Sequence, residues 1–299
     1  MIEGRRTIDH ALPDNIINPD VIAHELNPDD PDAVQRKAGE AALKARAVSL
    51  SNRDDFGIET TLTGVRIRKL IIDATLKGYE VTMTYLCVND VEIAVQRVQQ
   101  RALEEHRTVS ADVVRRRYPA SLEALSKIAP TLERVDVYDN SGETLQLVSQ
   151  LERGRVISIA TDAPLWVEEA LRAPLTVARD RAAIAAHAVA ILTAKTPTAR
   201  IVEDERGNRE IEGELIATTA FHAAIATSAT SFVIVDRATL DAALAPAQEL
   251  TNSLADDDDD DVRRIKASAP STKIAPIAAR PHVCAIVCSA LGSAVRALS

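Results

Sequence analysis

The stretch Phe56-Gly57-Ile58-Glu59-Thr60-Thr61-Leu62 is followed by a helical segment, Val65 to Lys77, and a stop at Gly78. The apolar run Tyr79-Glu80-Val81-Thr82-Met83-Thr84-Tyr85-Leu86 comes next. A short β-rich run, a helix of about a dozen residues and a second β-rich run form a strand–helix–strand unit. Such a unit makes neighbouring strands parallel. The same alternation extends outward in both directions. Upstream, Asn15-Ile16-Ile17-Asn18 reads as a short strand ending at Pro19-Asp20, and Asp32 to Leu50 as a helix. Downstream, Val91 to Glu105 and Ala111 to Ile128 read as helices, the second with a bend expected at Pro119. Val135 to Tyr138, closed by the turn Asn140-Ser141-Gly142, and Arg155 to Ala160 complete the strands. The expectation is an α/β fold with a parallel sheet flanked by helices.

The character of the chain changes near Arg172, so three segments are expected: 1–172 as the α/β domain, 173–250 as an extension, and 251–299 as linker and tail. The extension begins with an Ala-rich helix, Leu175 to Lys195, and continues as short strands around Gly207 and Gly213. Asp256 to Asp261 is an unbroken acidic run that reads as solvated linker. The Ala-, Ser- and Pro-rich tail shows no period and is expected to be poorly ordered.

The formal charge of −9 argues against general nucleic-acid binding, which needs surplus Lys and Arg. Three cysteines are too few for a disulfide framework, and a reducing cytoplasmic setting is expected. The apolar run Val283 to Val295 is shorter than the roughly 20 residues of a membrane span, so no membrane partner is expected.

Several short motifs resemble, in order, the zeta-toxin-like group of P-loop kinases. They are Asn18-Pro19-Asp20-Val21-Ile22-Ala23, Glu25-Leu26-Asn27-Pro28, Ile58-Glu59-Thr60-Thr61-Leu62, Gly78-Tyr79-Glu80-Val81, Arg97-Val98, Val114-Arg115-Arg116-Arg117-Tyr118 and Val137-Tyr138-Asp139-Asn140-Ser141-Gly142. The resemblance covers residues 14 to about 172. It implies a P-loop-kinase-like sheet and phosphoryl transfer from ATP with Mg2+, in the best-known members to a UDP-linked amino sugar such as UDP-N-acetylglucosamine. It also implies bacterial relatives and an antitoxin partner.

The resemblance makes Asp20 the catalytic base, and a helix N-cap is the other reading of that residue. Glu59, with Thr60 and Thr61, matches the substrate-contacting strand end, while capping of the next helix is the alternative for the two threonines. Arg97 matches a phosphate-facing arginine and Arg101 its neighbour one turn on, both suited to charge developing on phosphoryl oxygens. Arg116 and Arg117 are candidates for substrate contact, against a reading as solvent-facing arginines. Asp139 and Asn140 fall where related kinases bind the adenine edge, or else form a plain turn. His106 stands at the family's histidine position, but Glu104 and Glu105 replace the glycines before it.

The family's opening element, a strand feeding Gly-x-x-x-x-Gly-Lys-Ser/Thr, has no counterpart in the sequence. The first strand of the sheet, a central one, is expected to be absent with it, its gap open to another segment such as one from the extension, and the chain as given is expected to be inactive. A truncated or misassigned start is the favoured reason, ahead of a degenerate copy. A non-catalytic pseudo-kinase or partner-binding module is the alternative function. His282, Cys284 and Cys288 lack the spacing and the fourth ligand of a zinc site.

Overall fold

The computed structural model describes residues 12–104, 110–204, 211–242, 264–267 and 282–289. The chain divides into two compact units, the first comprising Met1–Pro174 with Ala279–Ser299, the second Leu175–Ala278.

The first unit is α/β, as the strand–helix–strand pattern requires. Its strands are β1 (Ile16–Ile17), β2 (Phe56–Thr60), β3 (Glu80–Cys87), β4 (Arg134–Asp139), β5 (Gln146–Glu152), β6 (Arg155–Ile159) and a seventh, β12 (Val283–Ser289), from far downstream. They form one sheet in the order β1-β2-β12-β3-β4-β5-β6. The first five in that order run parallel, and β4-β5-β6 continue as an antiparallel meander.

The helices of this unit end where the sequence supplies the chemistry to end them. α1 (Pro19–Leu26) starts with Pro at its first position behind the N-cap Asn18, whose side chain accepts from the Asp20 N–H. α2 (Gln35–Asn52) closes on Arg53 in the left-handed region at φ 62°. α3 (Val65–Leu76) is followed by Gly78 at φ 79°, a conformation that costs glycine little. α4 (Val91–Glu104) and α5 (Ala111–Ile128) come next, and the short α6 (Leu165–Ala170) follows the sheet. α5 runs on through Pro119 as one helix rather than two.

The core lies on the central strands. Phe56, Ile58, Met83, Tyr85, Val135, Val137, Ile286 and Val287 are all fully buried. α4 and α5 close over Val88 with Ala94, Val95, Val98 and Val114.

The second unit packs α7 (Arg172–Lys195) on a five-stranded sheet. Its strands are β7 (Val202–Glu203), β8 (Ile211–Thr218), β9 (His222–Ser228), β10 (Ser231–Asp236) and β11 (Arg264–Ala267), in the order β11-β8-β9-β10-β7. Ile184, Ala188 and Leu192 of α7 meet Ala224, Ala226 and Phe232 on one face, and Leu240 covers Ile225 and Val233 on the other. Asp180 of α7 accepts from Thr219 and lies 2.8 Å from the His222 Nδ1 atom.

One expectation needs correction. Residues 251–299 are not wholly linker and tail, because 264–267 and 283–289 are sheet strands. The gap between β2 and β3 that the absent first strand would leave is filled by another segment, β12. The acidic run Asp256 to Asp261 lies outside the described residues.

Candidate functional site

Parallel sheets bind ligands at the carboxyl ends of their strands, and the candidate residues gather there. β1 ends at Asn18, which is 6% exposed and has two tasks. Its Oδ1 caps α1, while its Nδ2 donates to the Glu59 Oε2 at the end of β2. Glu59 is itself buried, so the amide of Asn18 fixes the carboxylate against the first turn of α1. Asp20 sits in that turn, and its Oδ1 accepts from the Gln35 side chain at 3.3 Å. Asp20 is therefore not the helix cap. That place belongs to Asn18.

The loop after β2 carries a second departure. Thr60 Oγ1 accepts from the Leu62 N–H at 3.1 Å, and Thr61 and Thr63 pair their hydroxyls at 2.9 Å. Neither Thr60 nor Thr61 caps α3, whose N-cap is Gly64 without a side-chain bond. The loop turns through Leu62 at φ 63°, uncommon for a residue with a Cβ, and buries its side chain. Beyond it, a cavity of about 290 Å³ lies between Leu62, Gly64 and Arg68 on one side and Ala120, Glu123 and Lys127 of α5 on the other.

On the far side of β12, β4 ends in Asp139 and Asn140, both buried. Asp139 Oδ1 accepts from the Ser141 hydroxyl at 2.7 Å, and the Asn140 N–H donates to the Cys87 carbonyl at 2.7 Å. The Asn140 Oδ1 is buried without a partner among the described residues. A buried acceptor left in this state is costly, and a ligand N–H would satisfy it.

Arg97 reaches the turn that follows β4. Its guanidinium donates to the carbonyls of Asn140, Ser141 and Gly142, with the last two at 3.2 Å, and so clamps the turn that carries Asn140. Of the three consecutive arginines on α5, Arg115 forms a two-pronged pair with Glu92 at 2.8 and 3.0 Å. That contact holds the Glu92 carboxyl below its usual range. Arg116 and Arg117 are exposed, as either reading allowed. The Tyr118 hydroxyl donates to the Val88 carbonyl at 2.6 Å, and burial raises its pKa. The side chain of Arg101, and His106 with Glu105, lie outside the described residues.

Asn18 stands out in the sequence only as part of a motif, and its bridging task is not legible there. The order Asn-Pro-Asp was the available signal, since Asn favours the cap and Pro the first helical position. Gln35 was missed altogether. The cysteines are strand residues: Cys284 and Cys288, four positions apart on β12, are about 13 Å apart at strand rise, and both are buried. No group of metal ligands occurs among the described residues.

The donor set fits part of a nucleotide. Asn140 offers an acceptor to a base N–H, and the Asp20 and Glu59 carboxylates suit hydroxyls. Nothing in the sequence supplies the glycine-rich turn and lysine that grip phosphates, because Ser289 is followed by Ala290-Leu291-Gly292-Ser293-Ala294.

Comparison with known proteins bears on the fold of this region. A family model, Zeta toxin, matches residues 20–152. An uncharacterized protein of Haemophilus influenzae is 29% identical over 103 residues, which span 34% of this chain and 74% of that protein. No solved structure matches. The zeta-toxin likeness and the largely parallel seven-stranded sheet together fit a P-loop-kinase-like fold, a nucleotide-binding class.

Proposed function

We propose that the zeta-toxin-like region is a phosphotransferase-type site for ATP with Mg2+ and a small hydroxyl acceptor of the nucleotide-sugar class, such as UDP-N-acetylglucosamine. The observation that carries this reading is the Asn18 bridge, which sets Glu59 beside the turn holding Asp20 at the carboxyl edge of the sheet. Glu59 and the Thr60–Thr61 turn take the acceptor's hydroxyls. Asp20 takes the proton from the attacking hydroxyl, so the acceptor oxygen gains nucleophilicity as its O–H bond breaks. Asn140 reads the base, and Arg97 holds Asn140 in place. Arg116 and Arg117, exposed on α5, face incoming charge from solvent. Bound ATP would supply the phosphoryl group, and Mg2+ its charge neutralisation.

The sequence has no phosphate-gripping lysine, so this chain is expected to bind its ligands and to turn over at background rate. Titration calorimetry with magnesium-ATP and with UDP-N-acetylglucosamine tests the proposal. Binding of both, abolished for the sugar nucleotide by Glu59→Ala and for ATP by Asn140→Ala, is the expected result. A folded chain that takes up neither sinks it. The unpartnered Asn140 acceptor also suits a second reading, a non-catalytic pseudo-kinase or partner module in a toxin–antitoxin pair, and ATP binding without sugar-nucleotide binding would select it. A cytoplasmic location belongs to either reading. Among the described residues no helix is long and apolar enough to cross a membrane.

A further inference from the structure

The two halves of the candidate site sit on opposite sides of one strand. Asp20, Asn18 and Glu59 belong to β1, α1 and β2, whereas Asp139 and Asn140 belong to the end of β4. Among the described strands, β12 alone joins the β1–β2 pair to β3 and beyond. β1 and β2 register through only two residue pairs, Ile16 with Gly57 and Ile17 with Ile58. A ribbon that small does not stand alone in water.

The seat of β12 is specific at both ends. At its start the Val283 N–H donates to the Asp55 Oδ1 at 2.8 Å, from 228 positions downstream. The Glu80 N–H donates to the His282 carbonyl at 2.9 Å, and the rings of Tyr79 and His282 lie 5.8 Å apart. At its finish Val287 registers with Glu59, and Cys288 with both Thr60 and Tyr85. Between these points Ala285, Ile286 and Val287 are at most 2% exposed.

We infer that β12 is a gate on the first unit: its strands and both halves of the candidate site assemble only while residues 283–289 are seated between β2 and β3. The site is thereby regulated from a segment that reaches it only through the chain of the second unit. A ligand that binds at either half takes the seated state alone and drives seating by mass action. This ligand effect rests on the proposed nucleotide reading, whereas the gate itself does not.

Two experiments on the full chain test the gate. Trp166 is the single tryptophan, buried with its ring 6.2 Å from Tyr85 of β3, and reports the fold of the first unit. The Cys87 thiol on β3 is fully buried, and burial pushes its pKa up to about 12, so it reacts only when the sheet opens. In Ile286→Asp the expected result is solvent-exposed tryptophan emission and rapid Cys87 labelling, located by peptide mass spectrometry. Native emission with protected Cys87 overturns the gate.

The second experiment inserts a specific protease site between Ala278 and Ala279. After cleavage the seating of β12 is bimolecular, so the midpoint of the Trp166 melting transition should fall with each tenfold dilution. A midpoint independent of concentration overturns the gate as well. Magnesium-ATP should raise that midpoint in the cleaved protein. If dilution moves it and nucleotide does not, the nucleotide reading falls and the gate stands.

Discussion

Asn18 does the work of two residues, and its substitutions separate them. Asn18→Ala removes the cap of α1 and the partner of Glu59, for an expected loss of about 2 kcal/mol in urea unfolding followed through Trp166. Asn18→Asp keeps the cap but sets a second carboxylate against Glu59, so it should stay near wild-type stability only in acid. Equal losses at pH 4 and pH 8 would count against the bridge. Arg97 makes a comparable case. Arg97→Lys cannot reach three carbonyls at once, so amide exchange over residues 140–142 should quicken about tenfold, the equivalent of roughly 1.4 kcal/mol. Unchanged exchange would mean that the turn holds itself. The placement of Asp20, Glu59 and Asn140 next to strand ends was legible in the sequence, because each follows or closes an apolar run. The partner of Arg97 was not, since arginine suits carbonyls and phosphates alike and only the fold decides which it meets.

At the scale of elements, hairpins and helix anchors set the weak points. The β5–β6 connection turns on Arg153 at φ 48° and Gly154 at φ 76°, the two positive values of a type I′ hairpin turn. A Cβ at Gly154 would also lie 2.5 Å from the Pro130 carbonyl oxygen. Gly154→Ala should therefore cost about 1–3 kcal/mol, read as a lower urea midpoint, and a neutral result would deny the close approach. In the second unit α7 is tied to the sheet through Asp180. Burial alone would raise that carboxyl, but hydrogen bonds from Thr219 and His222 outweigh it and hold the pKa below the ordinary 3.8. A depressed carboxylate contributes stability that is complete above its unfolded value and lost as pH falls through the folded one. The second unit should thus weaken below about pH 4, and Asp180→Asn should remove that acid dependence, measured as urea midpoints at pH 3 and pH 6. The parallel strands β2, β3 and β4 and most helices of the first unit were readable, since alternation of apolar runs with helix-period segments marks them. β5 went unread because its apolar Leu147, Val148 and Leu151 fall among polar residues without a strict period. β12 was missed for the opposite reason: a strand buried on both faces is one apolar run, and Val283 to Ser289 carries no alternation to announce it.

For the whole molecule, the order of the chain matters as much as its contacts. The sequence pointed to an absent central strand whose place another segment could take, and the sheet recruits one from beyond the second unit. Local pattern cannot reveal such a pairing, because nothing near Val283 names Phe56 or Glu80 as its neighbours. The distance between them also sets a kinetic expectation. Strands that must find partners more than 200 positions away raise the contact order, and folding slows accordingly. Closing so long a loop costs only about 0.6 kcal/mol more for each doubling of its length. If Leu175–Ala278 compacts first, the flexible part of that loop is roughly halved. The second unit then acts on the first as a tether whose slack it takes up. Its own collapse should precede the slow step, and Trp166 should reach its native emission last.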